Sequence, residues 1–277
     1  MKKTLSLLLI LTFAACGISK PKEVHLPESL QESSALVYHK GLFISLNDSG
    51  GENALYVFSK EGELVNTCTI LHAKNVDWEA LTFDGVKYLY IGDIGNNANK
   101  RKNQKIYKVR IDEVLSQDST DSEIINFHYP DQEEFPPADT NLYYDAEALI
   151  YLNDSLFVFT KNRTVPFDGL SKVYAFSAKE ENPTIVIYPP VALKASSWME
   201  DSVTDAHFDG KYLHLLTYSK IYKLKRVNYH WEIEAIQEFE TFTQREGLTL
   251  VDSFYYLTEE SENIMENAAR LFTVAKK

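Results

Sequence analysis

Apolar and polar residues alternate along most of this chain with a period of two, and no long stretch carries helical spacing. Ile106-Tyr107-Lys108-Val109-Arg110-Ile111 is one such run. The pattern suits a strand with one face on a core and the other in water. The runs recur in a fixed order. A small-apolar pair beside a polar or acidic residue opens each copy, and an aromatic-rich strand ending in a polar residue follows. The copies open at Ser34-Ala35-Leu36, Glu79-Ala80-Leu81, Glu147-Ala148-Leu149, Thr204-Asp205-Ala206 and Glu246-Gly247-Leu248. Their second strands are residues 42–47, 88–93, 156–161, 212–217 and 254–259.

A third, alternating strand follows in each copy (54–59, 105–111, 172–177, 220–225 and 270–275), and four copies add an outer strand (63–70, 123–129, 184–188 and 231–239). Turn residues such as Lys60-Glu61-Gly62 and Phe208-Asp209-Gly210 separate them. Repeats of this length built from strands predict an all-β fold, a five-bladed β-propeller. The fifth copy has only three strands before Lys277, and residues 22–27 have strand character with no partner in sequence. That N-terminal strand is expected to close the last blade, because an unpaired outer edge invites aggregation. A six-bladed ring drawing an extra blade from residues 111–144 is the alternative. The polar stretch 112–121 reads as an excursion between strands, within one domain of residues 23–277.

Composition narrows the setting. Lys2 and Lys3 precede an apolar run, residues 5–15, that is too short to span a bilayer. Phe13-Ala14-Ala15-Cys16 resembles the lipobox of bacterial lipoproteins. Residues 1–16 are therefore expected to be a signal peptide, Cys16 the lipidated residue, and residues 17–22 a tether; an ordinary secretory signal is the other reading. Gly17, not an aspartate, follows the cysteine, which points to the outer membrane and leaves its two faces open. Without Lys2 and Lys3 the net charge goes from −12 to −14, which argues against nucleic acid and anionic lipid as electrostatic partners. The membrane is then reached through the lipid alone, by a monomer whose partners are a small ligand, a glycan or an envelope protein. Cys68 is the other cysteine, so no intrachain disulfide is expected, and its alternating strand makes it a small core residue.

In a propeller the first strand of each blade lines the central channel. Glu79, Glu147 and Glu246 open such strands, Asp93 and Glu259 end second strands, and all five are expected near one mouth. Asn47, Asp48, Lys161, Thr204 and Thr217 hold equivalent places, with Asp77, Asp145 and Arg245 alongside. Two carboxylates about 4 Å apart repel by roughly 1–4 kcal/mol near a surface, so the group needs a cation, raised pKa values or water. One reading is calcium held by Glu79, Asp93, Glu147, Glu246 and Glu259, since oxygen-only donors suit a hard cation. A second has the glutamates capping neighbouring strands. A third is catalysis without metal; in a calcium-dependent hydrolase, the metal would polarise phosphate and one of Glu79, Glu147 or Glu246 would be the general base.

Two Asp, Gly and Asn-rich loops, 47–51 and 93–97, suit positive φ and exposed carbonyls. Asn47, Asp48, Asn96 and Asn97, with Lys161 and Arg245, are the candidate ligand contacts; plain tight turns are the other reading. Lys100, Arg101, Lys102, Lys105 and Arg163 either meet an anionic group or form a solvated loop. The seven histidines show no paired metal spacing. Trp78, Trp198 and Trp231 read as core or as stacking surfaces for sugar.

At 47–51, 75–81 and 92–97 the chain resembles exported bacterial propellers of the SdiA-regulated and phytase-like ("esterase-like activity of phytase") families, whose blades carry similar acidic openings and D-x-G-N-N loops. Val203-Thr204-Asp205-Ala206, 216–218, 244–248 and 258–260 continue the pattern, so the resemblance covers most of residues 30–277. It implies the propeller. A clear basic phosphate-binding set of the β-propeller phytase kind is absent. Three functions follow: a lipid-anchored propeller binding a small ligand, glycan or protein at the channel mouth with calcium; a calcium-dependent phosphoester hydrolase; and a structural envelope lipoprotein.

Overall fold

The structure is a computed structural model that describes residues 23–194, 196–260 and 269–277. The signal peptide, Cys16 and the 17–22 tether lie outside the described residues. Strand β1 (Glu23–His25) is followed by blade 1, made of β2 (Val37–His39), β3 (Leu42–Ser45), β4 (Ala54–Phe58) and β5 (Leu64–Leu71). Blade 2 holds β6 (Trp78–Phe83), β7 (Tyr88–Asp93) and β8 (Gln104–Arg110); after α1 (Ile111–Val114) and β9 (Ser119–Asp121) it is completed by β10 (Glu123–Phe127). Blade 3 is β11 (Asp145–Leu152), β12 (Ser155–Lys161), β13 (Leu170–Ser177) and β14 (Val186–Ala192). After α2 (Trp198–Asp201), blade 4 is β15 (Val203–Phe208), β16 (Tyr212–Thr217), β17 (Lys220–Val227) and β18 (His230–Glu238). Blade 5 is β19 (Arg245–Val251), β20 (Phe254–Glu259) and β21 (Arg270–Ala275), with β1 as its outer strand.

Five blades form the ring, so the six-bladed alternative falls. Residues 111–144 build no sheet of their own. Instead β9 adds to the outer edge of blade 1, parallel to β5, before the chain returns to blade 2 as β10. Closure is as the unpartnered N-terminal strand requires: β1 pairs antiparallel with β21, Leu26 N–H donates to Ala269 O at 2.8 Å, and Arg270 pairs with Glu23 at 2.6 Å.

A buried cluster fills the gap between each pair of neighbouring blades. Ile44 and Leu55 of blade 1 meet Trp78 and Tyr107 of blade 2, and Leu26, Phe43 and Leu271 pack where blade 5 meets blade 1. Each such side chain contributes roughly 1.5–3 kcal/mol. Trp78 and Trp231 are core residues, whereas Trp198 is 46% exposed. Cys68 is buried, and burial pushes its thiol up to about 11. Turns follow local chemistry. In 208–210, Gly210 takes φ +90° and Asp209 accepts the Lys211 and Tyr212 N–H groups at 2.9 and 2.7 Å.

One irregularity recurs. The pairing of first with second strand slips between Trp78 and Ala80, Ala146 and Ala148, Val203 and Asp205, and Arg245 and Gly247. The residue left out of the ladder is Glu79, Glu147, Thr204 and Glu246, one per blade in four blades. A bulge frees one side chain from the alternation and re-aims it. The same device delivers three acids to one end of the channel.

Candidate acidic channel mouth

The bulged residues do not meet as one ring; they fall into two groups. In the first, carboxylate oxygens of Asp48, Asp77 and Glu79 all lie within 4.8 Å of one another. Asn75 sets this arrangement. Its amide donates to Asn47 O and Asp48 O at 3.1 and 2.9 Å while its carbonyl accepts Trp78 N–H at 3.1 Å, tying the loop after β3 to the start of β6. Gly95 leaves the room. A Cβ there would stand 2.5 Å from the Asp77 carboxyl and 2.6 Å from Glu79 Oε1, so no other residue fits this close approach unchanged.

The second group is a buried chain across blades 3, 4 and 5. Lys161 Nζ donates to Glu147 Oε1 and to Tyr218 OH (2.9 Å), Tyr218 OH donates to Glu246 Oε1 at 2.9 Å, and Ser34 Oγ lies 3.4 Å from Glu246 Oε2. Glu147 Oε2 has no hydrogen-bond partner among the described residues.

Several other candidate residues are engaged by the fold itself. Asp93 pairs with Arg101 at 2.8 Å and also accepts Asp77 N–H. Glu259 pairs with Arg270 at 2.6 Å and Arg245 at 3.4 Å. Asn47 bonds Ser29 O and Glu32 N–H, and Asn96 bonds Tyr144 O, Arg101 N–H and, through its own N–H, Asp145. Asn97 accepts from Arg163, which also pairs with Asp145. Arg245 donates to Tyr218 O and Thr241 O and stacks 4.2 Å from the Phe239 ring. Asp93 and Glu259 thus lie outside the Asp48–Asp77–Glu79 group, although Arg101 also reaches Asp77 at 3.9 Å. Two residues join the site without having been among its candidates, Tyr218 and Glu260, although both lie in the segments 216–218 and 258–260 that continue the motif. The signal for Glu260 was strand alternation: if Glu259 faces arginines, its neighbour faces the other way.

Burial and crowding raise the acids together. Glu79 and Glu147 are pushed well above the carboxylate range, by burial first; Glu147 and Asp48 then add to it at Glu79, and Glu246 adds at Glu147 against Lys161. Asp77 rises to about 6 through burial and the Asp48 charge, Asp48 is raised by burial, and Glu260 reaches about 10 through burial and Glu246. At Lys161 burial opposes the charge, but Glu147, Tyr218 and Glu246 overcome it and hold the ammonium above the usual lysine range. A raised acid favours the fold fully below the unfolded-state value and loses that contribution as pH climbs through the folded one. His207, lowered to about 4, works oppositely but only below neutrality. The metal-free protein should therefore lose roughly 1 kcal/mol per pH unit between about pH 7 and about pH 9, read as a falling melting temperature. A rising melting temperature there would overturn this picture of crowded, buried acids.

No protein-family model matches the chain, and no curated protein matches it. Among solved structures it is similar to the glutaminyl cyclase of Myxococcus xanthus, with a TM-score of 0.56 at 12% identity over 91% of this chain and 93% of that one. It is also similar to the PQQ-bound aldose sugar dehydrogenase of Streptomyces coelicolor, with a TM-score of 0.51 at 8% identity over 93% and 98%. The likeness is one of fold, and it is a fold that enzymes use.

Proposed function

We propose that the acidic mouth is a ligand-binding site organised by a calcium ion on Asp48, Asp77 and Glu79, in a monomeric propeller carried on the outer membrane by lipid at Cys16. The observation that carries this reading is the convergence of three carboxylates on one point behind Gly95. Oxygens within 4.8 Å of one another can share one cation ligated at about 2.3–2.6 Å, and a divalent charge relieves the repulsion that otherwise keeps protons there. The motif resemblance to the SdiA-regulated and phytase-like propellers agrees with an exported ligand site, whether for a small molecule, a glycan or an envelope protein.

Glu147 favours a second reading, a calcium-dependent phosphoester hydrolase. Its buried Oε2 has no partner among the described residues and would accept a proton from an attacking water, with Lys161 opposing the burial that raises the carboxyl, while calcium would supply charge stabilisation to the phosphate. Turnover of a phosphoester that disappears in Glu147→Gln would select it.

Calorimetric titration of the chelator-stripped chain with calcium should show one saturating site that Asp77→Asn weakens about tenfold or more, about 1.4 kcal/mol of affinity. No heat from the unaltered chain, with no protein or glycan captured through the mouth, would leave a structural envelope lipoprotein.

A further inference from the structure

Beside the three converging carboxylates, the mouth has a half with a different chemistry. Glu147 is 4% exposed, Lys161 takes its Oε1, and its Oε2 is unpartnered among the described residues. A buried acceptor left without a donor costs about 1–3 kcal/mol, more when it carries charge. That cost is relieved when a donor arrives from outside. Lys161 is the cation bonded to Glu147, and Tyr218 relays it to Glu246. Glu79, Glu147 and Glu246 all act on one another through space. Glu147, Tyr218 and Glu246 hold the buried Lys161 charged against its own desolvation, so the field of this half favours positive charge.

Two rings meet beside this half: Tyr218, 8% exposed with Lys161 Nζ 5.1 Å from its ring centroid, and Phe242. Phe242 is 50% exposed, and its ring meets that of Tyr218 edge-on at 5.9 Å between centroids. The same Tyr218 hydroxyl reaches Lys161 and Glu246. A ligand that fits must donate hydrogen bonds, bring positive charge, and offer apolar surface to a ring. A metal ion has no use for the ring. A sugar uses the ring but brings no charge, and an anion is repelled. An organic ammonium meets all three demands, through charge-assisted hydrogen bonds and cation–π attraction.

We propose that Glu147 Oε2, with Glu246 and the Tyr218–Phe242 pair, forms a second subsite in the channel mouth that takes the ammonium group of a small amine bearing an apolar or aromatic substituent. This rests on the mouth being a ligand site, and not on which ion Asp48, Asp77 and Glu79 hold.

The test titrates the full chain, with and without calcium, with benzylamine, benzyl alcohol and benzoate, followed by calorimetry or ligand-observed NMR. Benzylamine should bind saturably, benzyl alcohol about tenfold more weakly, and benzoate not at all. Phe242→Ala, at an exposed position, should weaken benzylamine about tenfold and methylamine by clearly less. Glu147→Gln should abolish amine binding; because it strands Lys161, its melting temperature is measured alongside, and Phe242→Ala keeps the test decisive if that variant unfolds. Benzyl alcohol binding as tightly as benzylamine, or unchanged benzylamine affinity in Phe242→Ala, would overturn the proposal. So would loss of benzylamine in Asp77→Asn, which would put the amine on the calcium carboxylates and leave the calcium reading standing. Benzylamine binding that Phe242→Ala weakens, in a chain that takes no calcium, supports the subsite and rejects the ion.

Discussion

Replacing Asp205 by alanine should cost the folded chain about 3–5 kcal/mol, lowering its melting temperature by roughly 10 °C. Asp205 follows the bulged Thr204 in β15 and is 1% exposed. Its Oδ1 accepts Ala206 N–H at 2.7 Å, and its Oδ2 accepts Leu248 N–H of blade 5 at 2.6 Å. One side chain therefore fastens blades 4 and 5 close to the channel. Alanine leaves these N–H groups buried with nothing to accept them, and such orphaned donors are rare because each is expensive. Asparagine keeps one acceptor oxygen and should cost about half as much. Urea melts of both variants measure the difference, and a cost below about 1 kcal/mol for alanine would show that the blades hold together without this link.

The alternation that located the blades was readable because each strand has one face on a neighbouring blade, and that burial demands period-two spacing. It failed where pairing is decided by something else. β9 is Ser-Thr-Asp, with no apolar rhythm, and it is held by the edge of β5 and by Thr69 N–H donating to Asp118 O at 2.8 Å. The outer strand of blade 3 reads as 184–188 in the sequence, yet β14 runs from Val186 to Ala192, through Pro189 and Pro190. Proline is tolerated there because β14 is an outer strand whose far side makes no ladder. β2 begins later than the pattern suggests, at Val37, since Ser33 and Ser45 settle that corner through hydroxyls, with Ser45 Oγ donating to Ala35 O at 2.6 Å.

For the site, the repeat marked Glu79, Glu147 and Glu246, because a bulge that recurs in register leaves a residue recurring in register. It could not say which neighbouring acids share their space. Asp93 and Glu259 occupy equivalent ladder positions, opposite Trp78 and Arg245, and the arginines that claim them come from elsewhere, Arg101 from the loop after β7 and Arg270 from β21. Asp48 and Asp77 meet Glu79 only because Asn75 ties two blades together. Such contacts between blades leave no mark on the spacing within one.

Calcium at a hundred times its dissociation constant should stabilise the chelator-stripped protein by about 2.7 kcal/mol, a rise of roughly 5–10 °C in melting temperature for a chain of this size. Magnesium should do less, because it demands about 2.0–2.1 Å and a strict octahedron and gives up its waters reluctantly, whereas calcium accepts irregular sets of carboxylates. Asp77→Asn should remove most of the calcium shift, and its metal-free form should melt higher than the unaltered chain, since it deletes one of the charges that repel Asp48 and Asp145. Gly95→Ala is the sharper variant: it deletes no ligand, but its methyl group would sit 2.5 Å from the Asp77 carboxyl and must push it aside. If geometry selects the ion, Gly95→Ala abolishes the calcium shift as fully as Asp77→Asn. A calcium shift that survives both variants would mean that the ion binds elsewhere and that these three carboxylates stay neutral by protonation alone.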